Sequence, residues 1–157
     1  MLFQRVNRTS PEKIFMAVYN SYSTASLTDG QPVCWDYATD KDGVSVTKPQ
    51  ATATNAGFSF AGIVTETIAA GAYGLIQVYG YHGAVRARAA STSGSGATRA
   101  IAKGTPLRIS EGTTAGLAAG SFCLEAMNTE ATSLLTYPAG FALSANALWT
   151  TAAIKAF

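Results

Sequence analysis

Residues 58–87 read FSFAGIVTETIAAGAYGLIQVYGYHGAVRA, and there residue pattern and turn chemistry coincide. The first arm carries Ile63, Val64, Thr65, Thr67 and Ile68, β-branched side chains that suit a pleated surface and lose rotamer freedom in a helix. In the second arm Leu75, Gln77, Tyr79 and Tyr81 project to one face and Ile76, Val78, Gly80 and His82 to the other, because side chains alternate across a strand. Between the arms, AAGAYG supplies Gly71 and Gly74, which take positive φ without a Cβ clash. The stretch predicts a β-hairpin. Glycine at Gly80 and Gly83 predicts a bulge, a bend or the close approach of another backbone, which fits a small curved barrel.

Outside the hairpin, 157 residues are the length of one domain, enough to bury roughly 70% of the unfolded surface around one core without a disulfide staple. Hydrophobic residues make up 48% and charged ones 13%, a low-charge surface that often finds cover in an assembly, although the high alanine content accounts for part of it. A net charge of +2 gives no ground for a direct nucleic-acid partner. The N-terminus, MLFQRVNRTSPEK, lacks the apolar run of a signal peptide, and nothing elsewhere gives the span of a membrane helix. The expectation is a chain made in the cytoplasm with no membrane partner.

Residues 1–11 mix Leu2, Phe3 and Val6 with Arg5 and Arg8 and end at Pro11, which reads as an extended arm that either frays or is ordered by a neighbouring subunit. The domain proper then spans 12–157. In KIFMAVYNSY, residues 13–22, both faces are apolar, so a buried or double-sided strand is expected, with a helix as the alternative. Asp29, Gly30 and Pro32 mark a turn into a strand over 33–37. Residues 39–43, TDKDG, form a solvated hairpin tip. Asp36, Asp40 and Asp42 do not have calcium-loop spacing, since Val46, Thr47 and Lys48 stand where a closing glutamate would fall. Residues 48–57 are a polar connection.

Residues 86–103, RARAASTSGSGATRAIAK, read as an exposed basic loop. A phosphate cradle is not supported, because the third glycine of a dinucleotide fingerprint would fall at Arg99. KGTPLRI at 103–109 echoes DGQPVCW at 29–35: polar, Gly, polar, Pro, apolar. Two instances do not make a repeat, though they agree with a β domain whose strands begin alike. SFCLEAM at 121–127 is a strand or a short helix, and residues 141–143 and 149–157 read as closing strands.

The inventory is poor in catalytic groups. His82, the one histidine, lies in an apolar strand and is a structural residue or a lone general base. Cys34 and Cys123 are two buried thiols or a single bridge, and they offer no zinc spacing. No metal, no cofactor and no enzymatic activity is expected. Trp35, Tyr73, Tyr79, Tyr81 and Trp149 could stack on sugars, as in a carbohydrate-binding β module, but serve equally in a core or interface.

The segment AGIVTETIAAGAYGLIQVYGYHGAV resembles the β-tulip domain of the head-decoration, or cement, proteins of tailed bacteriophages, in which a strand, an IAAG turn and a second strand recur. The likeness extends loosely through DGQPVCWD and KGTPLRI. It implies an all-β, barrel-like fold and a virion structural protein on the outer capsid surface, partnered by the major capsid protein and by itself as a homotrimer. A tail or fibre component is the alternative of the same architecture. The family carries no signature residues, so interface candidates come from chemistry. Leu2, Phe3, Arg5 and Arg8 are the candidates toward the capsid, and Tyr79, Tyr81 and His82 those toward other copies of the chain.

Overall fold

A computed structural model describes residues 13–41, 43–49, 59–88, 101–110, 123–126, 139–143 and 150–156. The described residues are all-β. Nine strands run in chain order as β1 (Lys13–Asn20), β2 (Pro32–Trp35), β3 (Ser45–Thr47), β4 (Phe60–Val64), β5 (Tyr73–Arg88), β6 (Pro106–Ser110), β7 (Cys123–Ala126), β8 (Gly140–Ala142) and β9 (Thr150–Ala156). The expected hairpin is present: β4 and β5 pair antiparallel, with Ile63 opposite Gln77 and Val64 opposite Ile76. Both helix alternatives resolve to strand, at β1 and at β7. Residues 86–88, expected to open the basic loop, instead end β5, and residues 89–100 of that stretch lie outside the described residues. The extended arm, residues 1–11, and residues 50–57 of the polar connection lie outside the described residues.

The pairings close two circuits that share β5. The first runs β1-β3-β2-β4-β5 and back to β1; the second runs β5-β7-β6-β8-β9 and back to β5. The sense of every pairing matches between them. The first strand pairs the third in parallel, β1 with β3 and β5 with β7, and all other pairings are antiparallel. Register matches too. Pro32 faces Ile63 and Val33 faces Gly62 in the first circuit, as Pro106 faces Phe141 and Leu107 faces Gly140 in the second. Asn20 opposite Val46 corresponds to Ala87 opposite Leu124, and Val18 opposite Gly74 to Val85 opposite Ala152. The chain is therefore an internal duplication, β1–β5 followed by β5–β9, in which one strand serves both units.

The cores follow the same correspondence. Val18, Leu27, Val33, Val46, Ala61 and Val64 belong to one buried cluster, and Val85, Ile101, Leu107, Leu124, Ala139 and Ala142, their counterparts, to the other. The expectation of one core is corrected to two. They interlock through β2 and β4, where Val33 and Val64 face the first cluster while Cys34 and Ile63 face the second. Alternation across a strand buried on both faces produces that division.

One turn is used three times. Buried Leu27, Ile68 and Ile101 each stand three residues before a positive-φ glycine, Gly30 (φ 77°), Gly71 (φ 72°) and Gly104 (φ 87°), and a strand begins two residues later. Gln31, Ala72 and Thr105 donate N–H to the carbonyls of Thr28, Ala69 and Ala102, closing four-residue turns with glycine at the third position, where a type II turn needs positive φ. In each turn the glycine N–H donates to the carbonyl of a strand's last residue (Val64, Asn20 or Ala142), and that residue's N–H donates back to the position after the glycine. The resemblance of DGQP to KGTP is thus physical, with IAAGAY as the third copy. Gly74, also expected to turn the chain, instead makes room: a Cβ there would collide with the Ile68 side chain.

Candidate interaction surface

β1 departs from its expected burial. Val18 and Asn20 are buried, but Ile14, Phe15, Met16 and Ala17 are exposed, so the apolar first half of the strand faces solvent on both sides. β5 runs beside it with Ala17 opposite Leu75 and Tyr19 opposite Tyr73. Opposed residues share a face, so Ala17, Tyr19, Tyr73 and Leu75 line one surface, joined by Phe15 two residues before Ala17. The Tyr19 and Tyr73 rings meet at 5.2 Å between centroids, inclined by 57°. The backbone beneath Leu75 is closed: its N–H donates to the Glu66 carboxylate (3.0 Å), and its carbonyl accepts from the Thr65 hydroxyl (3.0 Å). What this surface offers is apolar side chain.

Along its other edge β1 pairs with β3 only at Tyr19 and Asn20, and no described strand pairs with Ile14–Val18 there. An apolar strand edge without a charge or proline among those residues is a surface that proteins ordinarily cover.

Tyr79, Tyr81 and His82, the expected contacts between copies, lie farther along β5, at the junction of the two units. Tyr79 and Tyr81 are half-buried, and their carbonyls both accept from the buried Gln77 side-chain amide (3.1 Å each). Between them Gly80, at φ 102°, is opposite Lys13 on one side and Ala156 on the other, where β1 ends its pairing and β9 begins. His82 is buried, its Nδ1 accepts from Ala84 N–H (3.2 Å), and its Nε2 lies 3.7 Å from Asp29. Burial holds its pKa below the ordinary value; Asp29 opposes the shift and Lys13 adds to it. Leu2, Phe3, Arg5 and Arg8 lie outside the described residues.

Cys34 is a buried thiol whose pKa burial pushes up to about 11, against a hydrogen bond with Ser59 that lowers it. Such a thiol is a poor nucleophile at neutral pH. Asp36 and Asp40 serve their own turn: Asp36 accepts from the Ser21 hydroxyl (2.7 Å) and Thr39 N–H (3.2 Å), and Asp40 accepts from Val44 and Ser45 N–H. Among the described residues no group of three or more His, Cys, Asp or Glu gathers as a metal site, and no helix is long and apolar enough to cross a membrane.

The chain was compared with protein-family models and with curated proteins. It matches none.

The exposed face could have been suspected from KIFMAV. A period-two reading places apolar residues on both sides of that strand, and the signal was there as an excess of apolar faces over what one core can hide.

Proposed function

We propose that the chain is a virion structural protein of the β-tulip decoration kind, a barrel-like subunit that binds the outer surface of a phage head and stabilises the shell. Its partners are the major capsid protein and other copies of itself, as a homotrimer. The observation that carries the reading is the apolar surface formed by β1 and β5 on an otherwise closed all-β framework, since such a surface asks for a protein partner. The resemblance of residues 61–85 supplies the class of partner.

The mechanism is linkage. A subunit that binds the expanded lattice and not its separated parts stabilises that lattice by its binding free energy, repeated at every site. Residues 1–8, with Leu2, Phe3, Arg5 and Arg8, would reach the neighbouring shell protein.

The test is to incubate the purified protein with undecorated, expanded heads of the phage that encodes it, pellet them and count bound copies. Saturation at a number matched to the lattice, with heads that resist heat better, supports the proposal. No binding to intact heads refutes it and moves the chain to the tail.

A further inference from the structure

Inside one chain the first unit sits on the second, and the contact is specific. The Thr28–Gln31 turn stands against β5: Arg86 N–H donates to the Gly30 carbonyl (2.9 Å), and the Arg86 guanidinium donates to the Thr28 hydroxyl (2.8 Å). Gly30 is so close that an added Cβ would lie 2.5 Å from the Ala84 carbonyl oxygen. Ala84 is thus the residue under the turn, and His82 is what fixes it.

β5 is irregular at this point. Its register against β9 shifts between His82 and Val85, which leaves Gly83 and Ala84 outside that ladder. Ala84 N–H donates instead to His82 Nδ1 (3.2 Å). An imidazole that accepts at Nδ1 is neutral and carries its proton on Nε2. The ring is buried, and three charges face it: Asp29 of the turn, with Oδ1 3.7 Å from Nε2, Lys13 of β1, and Arg86 of β5 itself, already engaged with Thr28. On β9 the opposed residue is Ile154, and Lys155 next to it lies on the other face of that strand.

Protonation places a second N–H on the ring, at Nδ1, where it points at Ala84 N–H. Two donors cannot share that bond in a buried site, so either the ring turns or residues 82–84 move, and each ends the bond that fixes Ala84 under Gly30. Asp29 offsets little of this, since its side chain is 62% exposed and 3.7 Å is too long for a hydrogen bond. The surroundings agree on the sign: burial, with Lys13 adding to it, lowers the His82 pKa more than Asp29 raises it.

We propose that His82 is an acid-sensitive catch between the two units: neutral, it fixes Ala84 as the seat of the Thr28–Gln31 turn, and protonated, it lets the turn go while the ladders of both units persist. The coupling is reciprocal, so whatever loosens the turn must make His82 easier to protonate. The inference concerns a single chain, and its failure is separate from failure of the decoration reading.

His82 is the one histidine, so its imidazole C–H signal in the proton spectrum of the full chain is unambiguous and can be followed between about pH 8 and about pH 5. The expected midpoint in the wild type lies below 6.5. Gly30→Ala, which pushes the turn off Ala84, should raise it towards 6.5; Thr28→Val, which removes the hydroxyl that Arg86 holds, should raise it by less. Gly104→Ala, in the same turn of the second unit, where a Cβ meets nothing within 4 Å, should leave it unchanged. If Gly30→Ala does not fold, Thr28→Val carries the comparison, and hydrogen exchange of the wild type gives a second reading. At the acid end of the range Arg86 N–H should be at least about tenfold less protected than Asn20 N–H, which donates to Ala72 within the first unit. A wild-type midpoint at or above 6.5 overturns the proposal, as do a midpoint that ignores the Gly30 and Thr28 substitutions, one that moves equally with Gly104→Ala, and equal protection at Arg86 and Asn20.

Discussion

Gly30 and Gly104 occupy the same turn in the two units with nearly the same φ, 77° and 87°, yet one touches β5 and the other faces open space. Replacing each by alanine therefore separates backbone strain from contact. Holding an L-residue in the left-handed region costs roughly 1–2 kcal/mol, and the lost freedom of the unfolded chain returns about 0.4–1 kcal/mol, so Gly104→Ala should cost ~1 kcal/mol. At Gly30 the new Cβ lies 2.5 Å from the Ala84 oxygen, and a strand-to-turn contact must open to admit it. Overpacking of that kind adds about 1–3 kcal/mol, and the Arg86 N–H bond to Gly30 is strained with it, so Gly30→Ala should cost ~3 kcal/mol. In a thermal melt of a chain this size the two substitutions should lower Tm by about 2–4 °C and about 6–12 °C. Urea unfolding with unchanged slope gives the free energies directly. Equal losses at the two glycines would refute the claim that the first unit is held on the second through this turn.

Two further outcomes follow from the junction. Because the His82 pKa lies below its ordinary 6.5 in the fold, the unfolded chain takes up the proton first as pH falls. Stability should be complete above about pH 6.5 and decline as pH falls through the lower folded value; His82→Gln should flatten that part of a Tm-against-pH curve, and a curve already flat there would show that His82 contributes nothing. Gln77→Leu removes the amide that bridges the Tyr79 and Tyr81 carbonyls on either side of Gly80, and should cost about 1–3 kcal/mol in urea unfolding; a neutral result would mean those carbonyls find other partners.

The hairpin was legible in the sequence because its arms satisfy two independent rules, β-branched composition and period two, over many residues. The short strands β3 and β8, three residues each, are below the length at which a period can be read. The duplication was half visible. DGQP and KGTP announce themselves through proline and glycine, whereas IAAGAY hides inside a hairpin turn, and AGIV at 61–64 answers to AGFA at 139–142 through only two identical residues. Apolar character is what the core positions preserve, and many different side chains supply it. Burial of β1 could not be read locally, because whether Ile14, Phe15 and Met16 are covered depends on elements far away in the chain. Tyr79, Tyr81 and His82 stand out in the sequence as aromatic or titratable side chains on a well-patterned strand, and that chemistry serves a joint between units as well as a contact between molecules.

That β5 belongs to both units also constrains how the gene can vary. Two ordinary tandem domains drift apart independently, since each can lose a contact and repair it at home. Here a change in residues 73–88 alters the ladder of β1 and β4 or that of β7 and β9, and near Gly80 it reaches both sets at once. Neither half can be excised with its circuit intact unless the other loses a wall. Substitutions in this strand should show the strongest dependence on genetic background of any in the chain, and a library that randomises it should yield far fewer folded members than one that randomises β2 or β6.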